Sequence, residues 1–396
     1  MGQPTNDDER IGVEDPIRIG VLGMGVAGRL GASAAVRSPL CTVVAVCDLI
    51  PDVAVAAAEM YGARPVHLPE DLARDPEIEA VYLATPTHFH LENARQFASA
   101  GKHVLIEKPV VVNRDEGRQL VELERSAGVR VMAVNTRGRD APVRAMARLV
   151  SDGAIGAIRS LTNISYTSWI LRPRFAYELA TELGGGVIFR QAPHQIEIAR
   201  TIIGQPATAV SAVAHVDGRT KAVDSYNALL EFGDDVAATL VYSGAGYFDS
   251  AEMTFDIGET GAPFEPMAFG QMHATKSWEM HKYGASAVDA RSKALGLGGP
   301  TKMQPSWGFA GFTIVSGDEG DLRQSRTGVT VYDAHGPREV DCIGERGGLE
   351  IDFEEFYAAL RLGATLQHDA LWGATTVGVS EAIWNSHQAR SRVSLT

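Results

Sequence analysis

Ile17-Arg-Ile-Gly-Val-Leu-Gly-Met-Gly-Val-Ala-Gly28 is the stretch from which the fold is read. A short apolar run, Ile17 to Leu22, comes first. Gly23-Met-Gly25-Val-Ala-Gly28 follows, and then Leu30, Ala32, Ala35 and Val36 at helical spacing. Strand, tight glycine turn and helix, in that order, make a dinucleotide-binding element. Gly23 allows the tight turn, Gly25 lets backbone approach a pyrophosphate, and Gly28 lets the helix pack close to the strand. The helix start, at Val26 and Ala27, offers free N–H groups and a positive dipole end to the phosphates. Glycine is common here (41 residues), so the glycine pattern alone is weak. A second apolar run, Thr42 to Cys47, strengthens it by ending in Asp48. An acid about 20 residues past the third glycine meets the adenosine ribose hydroxyls. The plainer alternative is an ordinary strand-turn-helix with an acidic loop residue.

Composition narrows the class. The 396 residues suffice for two domains with cores of their own. Apolar content of 45% and charged content of 21% are ordinary for a globular protein. A formal net charge of −13 argues against a nucleic-acid partner. The three cysteines, Cys41, Cys47 and Cys342, form no CxxC pair, which points to a reducing, cytoplasmic setting without disulfides. No apolar run has membrane-spanning length, so no membrane partner is expected. The polar, acidic start lacks the pattern of a signal peptide and reads as a loose arm over residues 1–15.

Outward from the glycine loop, strand and helix alternate. Helices are expected over Val53–Tyr61, Leu91–Ala100 and Glu116–Ser126, and strands over Ala80–Ala84, His103–Ile106 and Val129–Val134. Crossovers of this length imply a parallel sheet with ligands beyond the carboxyl ends of its strands. Gly23, Asp48, Thr85 and Lys108 all fall at such ends. A helix from Pro142 to Val150 leads into a different pattern. Strand-like runs at Ile158–Trp169, Ala207–His215, Ser225–Phe232, Val236–Ser243 and Ala251–Ile257, with short turns, favour an antiparallel sheet. One helix is expected over Gln191–Ile203. Residues 259–325 stay unassigned and read as a lid, binding loop or subunit contact. Short strands near Val329–Tyr332 and Arg338–Cys342 follow. Helices at Phe353–Leu362 and Ala374–Ser386 and a strand near Arg392–Leu395 close the chain.

Taken together, the motifs resemble those of the Gfo/Idh/MocA family of nicotinamide-dependent oxidoreductases. The resemblance rests on Gly23-x-Gly25-x-x-Gly28, Asp48, Thr85-Pro86 with His90, and Gly101-Lys-His-Val-Leu-Ile-Glu107-Lys108-Pro109. Gly153-x-x-Gly156 and Gly184-Gly-Gly186 followed by His194 complete it. It implies an α/β Rossmann domain with a parallel sheet, here residues 16–138. It implies a second, α+β domain with an open-faced, mostly antiparallel sheet, here residues 139–396, for substrate binding and oligomerisation as a dimer or tetramer. The C-terminal helices are expected to pack back on the first domain. Gly23, Gly25, Val26, Ala27, Gly28, Asp48, Thr85, Pro86, His90, Glu107 and Lys108 become the cofactor residues, with His90 leaning to a structural role. NAD is expected rather than NADP, because Asp48 would repel a 2′-phosphate and Leu49 and Ile50 supply no arginine for one.

Lys108 matches the family's catalytic lysine and His194 its active-site histidine. A lysine at a strand end can hold a substrate oxygen as it gains negative charge. A histidine beside it can take the hydroxyl proton, and an ordinary one would titrate between about pH 6 and 8. His88-x-His90 lacks the neighbouring acids or thiols of a metal site, and no metal is expected. Arg190 departs from the aspartate that sugar- and inositol-acting relatives carry four residues before the histidine. Phe189-Arg-Gln191-Ala-Pro-His194-Gln195 resembles instead the branch holding phthalate dihydrodiol dehydrogenases. Arg190 and His194 at helical spacing would share a face. Arg190, Gln191, Lys108 and His194, with Arg172 and Arg174, then form a site for an anionic cyclic substrate. Alternatively, Arg190 pairs internally with Glu197. Sugar or cyclitol oxidation, redox-assisted glycoside cleavage and a catalytically silent NAD-binding regulator are the rival functions.

Overall fold

The computed structural model describes residues 15–172, 174–233, 235–264 and 307–395. The expected N-terminal arm, save Asp15, lies outside these residues, as does much of the long unassigned segment. β1 (Ile17–Leu22), α1 (Val26–Arg37), β2 (Cys41–Cys47), α2 (Pro51–Tyr61), β3 (Arg64–Val66), α3 (Pro69–Arg74) and β4 (Ala80–Leu83) build the first half of an α/β sheet. α4 (His90–Ser99), β5 (His103–Glu107), α5 (Arg114–Ala127) and β6 (Val131–Val134) complete it. Its six strands are all parallel, in the order β3-β2-β1-β4-β5-β6. A strand covered on both faces is apolar throughout, and β4 and β6 are buried at every residue. β3 and α3 escape a sequence reading because β3 has three residues, one of them proline.

A 3₁₀ turn, Thr136–Arg139, and α6 (Ala141–Ser151) lead to the second layer. Next come β7 (Ile158–Tyr166), α7 (Ala176–Leu179), α8 (Gly186–Arg190), α9 (Ala192–Ile203), β8 (Ala209–Val216), β9 (Val223–Phe232) and β10 (Val236–Ser243). β11 (Phe312–Gly317), β12 (Gly320–Gln324), β13 (Gly328–Asp333) and β14 (Gly336–Asp341) follow, then α10 (Leu349–Arg361), α11 (Ala370–Ala389) and β15 (Val393–Ser394). Among the described residues the strands form one sheet, β14-β13-β12-β11-β7-β10-β9-β8-β15. Its pairs are antiparallel except β7 with β10. β9 alternates between buried and more open positions, as one covered face and one open face require.

One expected element differs, and one gains a neighbour. Ala251–Ile257 is not a strand: Asp249 caps a 3₁₀ turn at Ser250–Met253, and Phe255 and Asp256 take positive φ, which no strand accommodates. The helix expected over Gln191–Ile203 is present as α9, but a short helix that was not expected, α8, precedes it and is parted from it at Gln191. Pro193 has no N–H to continue the ladder and opens α9 instead. β11 and β12 lie within the stretch left unassigned.

α10 and α11 join the layers. Phe353 and Phe356 of α10 are fully buried in one cluster with Ile17, Ile19 and Val21 of β1. Burial of such a ring contributes about 1.5–3 kcal/mol. α11 sends Ala370 and Val377 into the core on the other side of the parallel sheet, and Val379, Ala382 and Ile383 into the core of the second sheet. A Cβ on its Gly373 would stand 2.7 Å from the Cβ of Ala133, so the helix lies against β6 where only glycine fits.

Candidate active site

The glycine loop does what its spacing requires. Gly23 has φ of +90°, and a Cβ there would meet the Ala84 carbonyl oxygen at 2.7 Å. A Cβ on Gly28 would fall 1.8 Å from the Gly23 oxygen, so α1 can begin this close to β1 only with glycine. Gly25 caps α1 without a side-chain bond, and nothing stands within 4 Å of its open side. That side, with the N–H groups of the 12-residue α1, fits a pyrophosphate. Asp48 is 2% exposed, and its carboxylate accepts from Met24 N (2.8 Å) and Ile50 N (3.0 Å). It therefore shapes the loop as well as supplying an acceptor at the end of β2, a position fit for a ribose.

Thr85 and Pro86 follow β4, and Glu107 and Lys108 end β5. The Lys108–Pro109 peptide is cis. His90 is 1% exposed and lies between two carbonyls, Thr85 O (2.8 Å from Nε2) and Pro109 O (3.0 Å from Nδ1). It ties the Thr85 loop to the Lys108 loop and presents no free polar atom. Glu107 accepts from the Tyr82 hydroxyl at 2.5 Å, and burial raises its pKa. The Lys108 ammonium donates to the Arg190 carbonyl at 3.3 Å. Burial first, then the Arg190 guanidinium, push the Lys108 pKa down to about 8 against the pull of Glu107 and Glu259.

His194 enters from α9. Asn135, at the end of β6, donates through Nδ2 to Pro193 O (3.1 Å), which turns its amide oxygen to His194 Nδ1 at 3.2 Å. Nδ1 therefore carries the proton, and Nε2 keeps its lone pair. Burial, followed by the charges of Lys108, Arg137 and Arg190, holds the His194 pKa well below its ordinary value. The direction of this shift favours the neutral imidazole over the ordinary titration expected between pH 6 and 8. Gln191 lines the same cleft as His194, with Arg137, Ser165, Tyr242 and Glu259.

The break at Gln191 also overturns the helical face expected for Arg190 and His194, since they belong to different helices. They still meet around Lys108. Arg190 donates to Thr87 Oγ1 at 3.2 Å and lies 3.8 Å from Glu178. The alternative pairing with Glu197 does not form. Glu197 accepts from Trp372 Nε1 (2.7 Å) and the Thr376 hydroxyl and lies 3.5 Å from Arg200. Arg174 reaches the same Glu178 at 3.5 Å and stacks on Trp169, while Arg172 donates to Ser168 Oγ at 3.2 Å. Two guanidiniums thus share one carboxylate. Arg172 and Arg174 also act on Tyr242, which lines the cleft with His194.

Asn135, Arg137, Thr87, Glu178 and Glu259 were missed. Asn135 carried a usable signal, because it closes a strand of the parallel sheet as Asp48 and Lys108 do. Glu178 and Glu259 carried none, because neither belongs to a motif. Among the described residues no cluster of His, Cys, Asp and Glu suits a metal ion, and no helix is long and apolar enough to cross a membrane.

A doubly wound parallel sheet with a glycine-rich first turn, facing a lysine and a histidine across two layers, defines a two-domain dinucleotide-binding protein. The chain belongs to the Gfo/Idh/MocA oxidoreductase family. Residues 17–135 match the family's NAD-binding Rossmann fold, and residues 143–262 its C-terminal domain. NAD is the cofactor of that fold. A solved chain from Bordetella bronchiseptica RB50 is 34% identical, with a TM-score of 0.87 over 96% of this chain and 100% of that one. A 1-carboxy-3-chloro-3,4-dihydroxycyclohexa-1,5-diene dehydrogenase of Comamonas testosteroni is 33% identical over 62% of this chain and 62% of its own length. An inositol 2-dehydrogenase of Rhizobium meliloti (strain 1021) is 28% identical over 50% of this chain and 59% of its own. The matches thus span about three-fifths of the length of these curated relatives.

Proposed function

We propose that this protein is an NAD-dependent dehydrogenase for a ring CH–OH of a small carboxylated cyclic diol. The observation that carries the reading is the field on His194. Burial and then the charges of Lys108, Arg137 and Arg190 all depress its pKa. A concentration of positive charge beside a neutral base suits an anion that must lose a hydroxyl proton. The carboxylated ring diol in the name of the Comamonas relative has that chemistry.

Gly23, Gly25, Val26, Ala27, Gly28, Asp48, Thr85 and Pro86 hold the cofactor, with His90 and Glu107 positioning its neighbours. Bound there, NAD supplies the hydride acceptor. The Lys108 ammonium donates a hydrogen bond to the substrate oxygen as the carbon loses hydride. His194 takes the hydroxyl proton on Nε2, so CH–OH becomes C=O. Arg190 and Gln191 orient the ring, and the Arg190 guanidinium faces its carboxylate. Arg174 shares Glu178 with Arg190, and Arg172 and Arg174 both act on Tyr242 of the cleft.

The test follows the appearance of reduced nicotinamide with carboxylated and uncarboxylated cis-dihydrodiols, inositols and anhydrosugars. The reading expects the highest kcat/KM on a carboxylated diol. Faster turnover of a neutral cyclitol or sugar would replace it, and no turnover with any class would leave the silent regulator. Parallel titrations of NAD and NADP should favour NAD, because Asp48 would repel a 2′-phosphate; tighter NADP binding would contradict this.

A further inference from the structure

The turn Thr136–Arg139 serves two spaces. Arg137 lines the cleft beside His194, whereas Gly138 and Arg139 line a second cavity of about 450 Å³. The two spaces share no lining residue. Arg144 of α6, Arg200 and Thr201 near the end of α9, Glu355 of α10 and Trp372 of α11 form the other walls. Exposed Gly204, Gln205 and Pro206 stand at its rim. The volume is within the range of small-molecule sites.

Three buried polar atoms of this wall have no hydrogen-bond partner among the described residues: Arg144 Nε, Arg200 Nε and Thr201 Oγ1. Leaving buried donors unpaired is costly, so such groups point to a missing acceptor. Arg200 and Thr201 are held in place. Arg200 is 5% exposed, stacks on Trp372 with its guanidinium carbon 3.9 Å from the ring centre, and donates through NH1 to Trp372 O (3.1 Å) and Thr376 Oγ1 (2.5 Å). A Cβ on Gly138 would stand 2.9 Å from Thr201 Oγ1, so the hydroxyl is pressed against backbone.

Nearby acids do not occupy these atoms. Glu197 lies 3.5 Å from Arg200 NH1, and Glu345 lies 3.5 Å from Arg144 NH2. Arg139 binds Asp352 through its Nε at 3.0 Å, and Glu355 is held by His368 at 2.6 Å. The C-terminal end of α9 brings a partial negative charge, but its Arg200 carbonyl already accepts from Gly204 N. Two guanidinium N–H groups and a hydroxyl suit a group with acceptor oxygens and negative charge.

We propose that this cavity binds a small organic anion, whose carboxylate or phosphate is held by Arg144, Arg200 and Thr201, at a site separate from the substrate cleft.

The experiment is calorimetric titration of the full chain with citrate and with inorganic phosphate, against sodium chloride at equal ionic strength. It is run on wild type, Thr201→Val, Arg144→Met and Arg190→Met. Thr201→Val keeps the shape of the wall and Arg144 is partly exposed, so both should fold; thermal melts verify it. Saturable binding of either anion is expected, weakened about tenfold or more by Thr201→Val and by Arg144→Met, as for hydrogen bonds to a charged group. Arg190→Met should leave it unchanged. Citrate alone saturating assigns a carboxylate, and phosphate alone a phosphate group. Absence of saturable binding, or binding lost in Arg190→Met and kept in the two wall variants, overturns the proposal.

Discussion

At the scale of single residues, Asn135 governs what His194 can do. By fixing the proton on Nδ1 it leaves the Nε2 lone pair free for the proposed base, and burial with the surrounding cations favours the neutral form. The two pKa shifts then predict a pH profile. The downward shift of His194 favours its neutral form, so it is expected to cause little change in rate between pH 6 and 8. Lys108, with a pKa near 8, is an ammonium below that value and loses its proton above it. For oxidation, kcat/KM should hold level to about pH 7 and fall above 8, reporting the free enzyme. A rise through pH 8 would instead make neutral Lys108 the base. Lys108→Ala should bind NAD nearly as wild type and lose turnover by about 10²-fold or more. Near-normal turnover would remove Lys108 from the chemistry.

At the scale of elements, β1, the glycine loop and α1 were legible because their demands are local. Gly23 and Gly28 are required by backbone, of the next strand end and of the loop itself, whereas the side of Gly25 is open. The difference between them gives a test. Gly28→Ala should unfold the loop and cost about 1–3 kcal/mol or more, since its Cβ has no room. Gly25→Ala should keep its melting temperature, because nothing stands near the new methyl, yet weaken NAD about tenfold or more by standing in the phosphate path. Thermal melts and NAD titration of both variants read this, and normal NAD binding by Gly25→Ala would contradict the assignment. α8 and α9 were not legible as two helices. The spacing of Arg190 and His194 looked helical, and the weight of Pro193 in breaking the ladder was missed. Glu178, which pairs with Arg190, is supplied by α7 and has no motif of its own. The 3₁₀ turn after Asp249 was masked by an apolar composition that also suits a strand.

At the scale of the whole molecule, the candidate site exists only because two layers meet. Lys108 comes from the parallel sheet, whereas Arg190 and His194 come from helices over the second sheet. α11, rooted in both cores, holds them together. The consequence is that an anion placed against Lys108 also meets a guanidinium from the other layer. The measurement that tests this most directly compares kcat/KM for a carboxylated ring diol and its neutral counterpart, in wild type and Arg190→Ala. The account predicts that the variant loses roughly 2–5 kcal/mol of preference for the charged substrate, the cost of removing one partner of a buried charge pair, with the neutral substrate little affected. Equal losses on both substrates would show that Arg190 only shapes the site and would contradict the anionic reading.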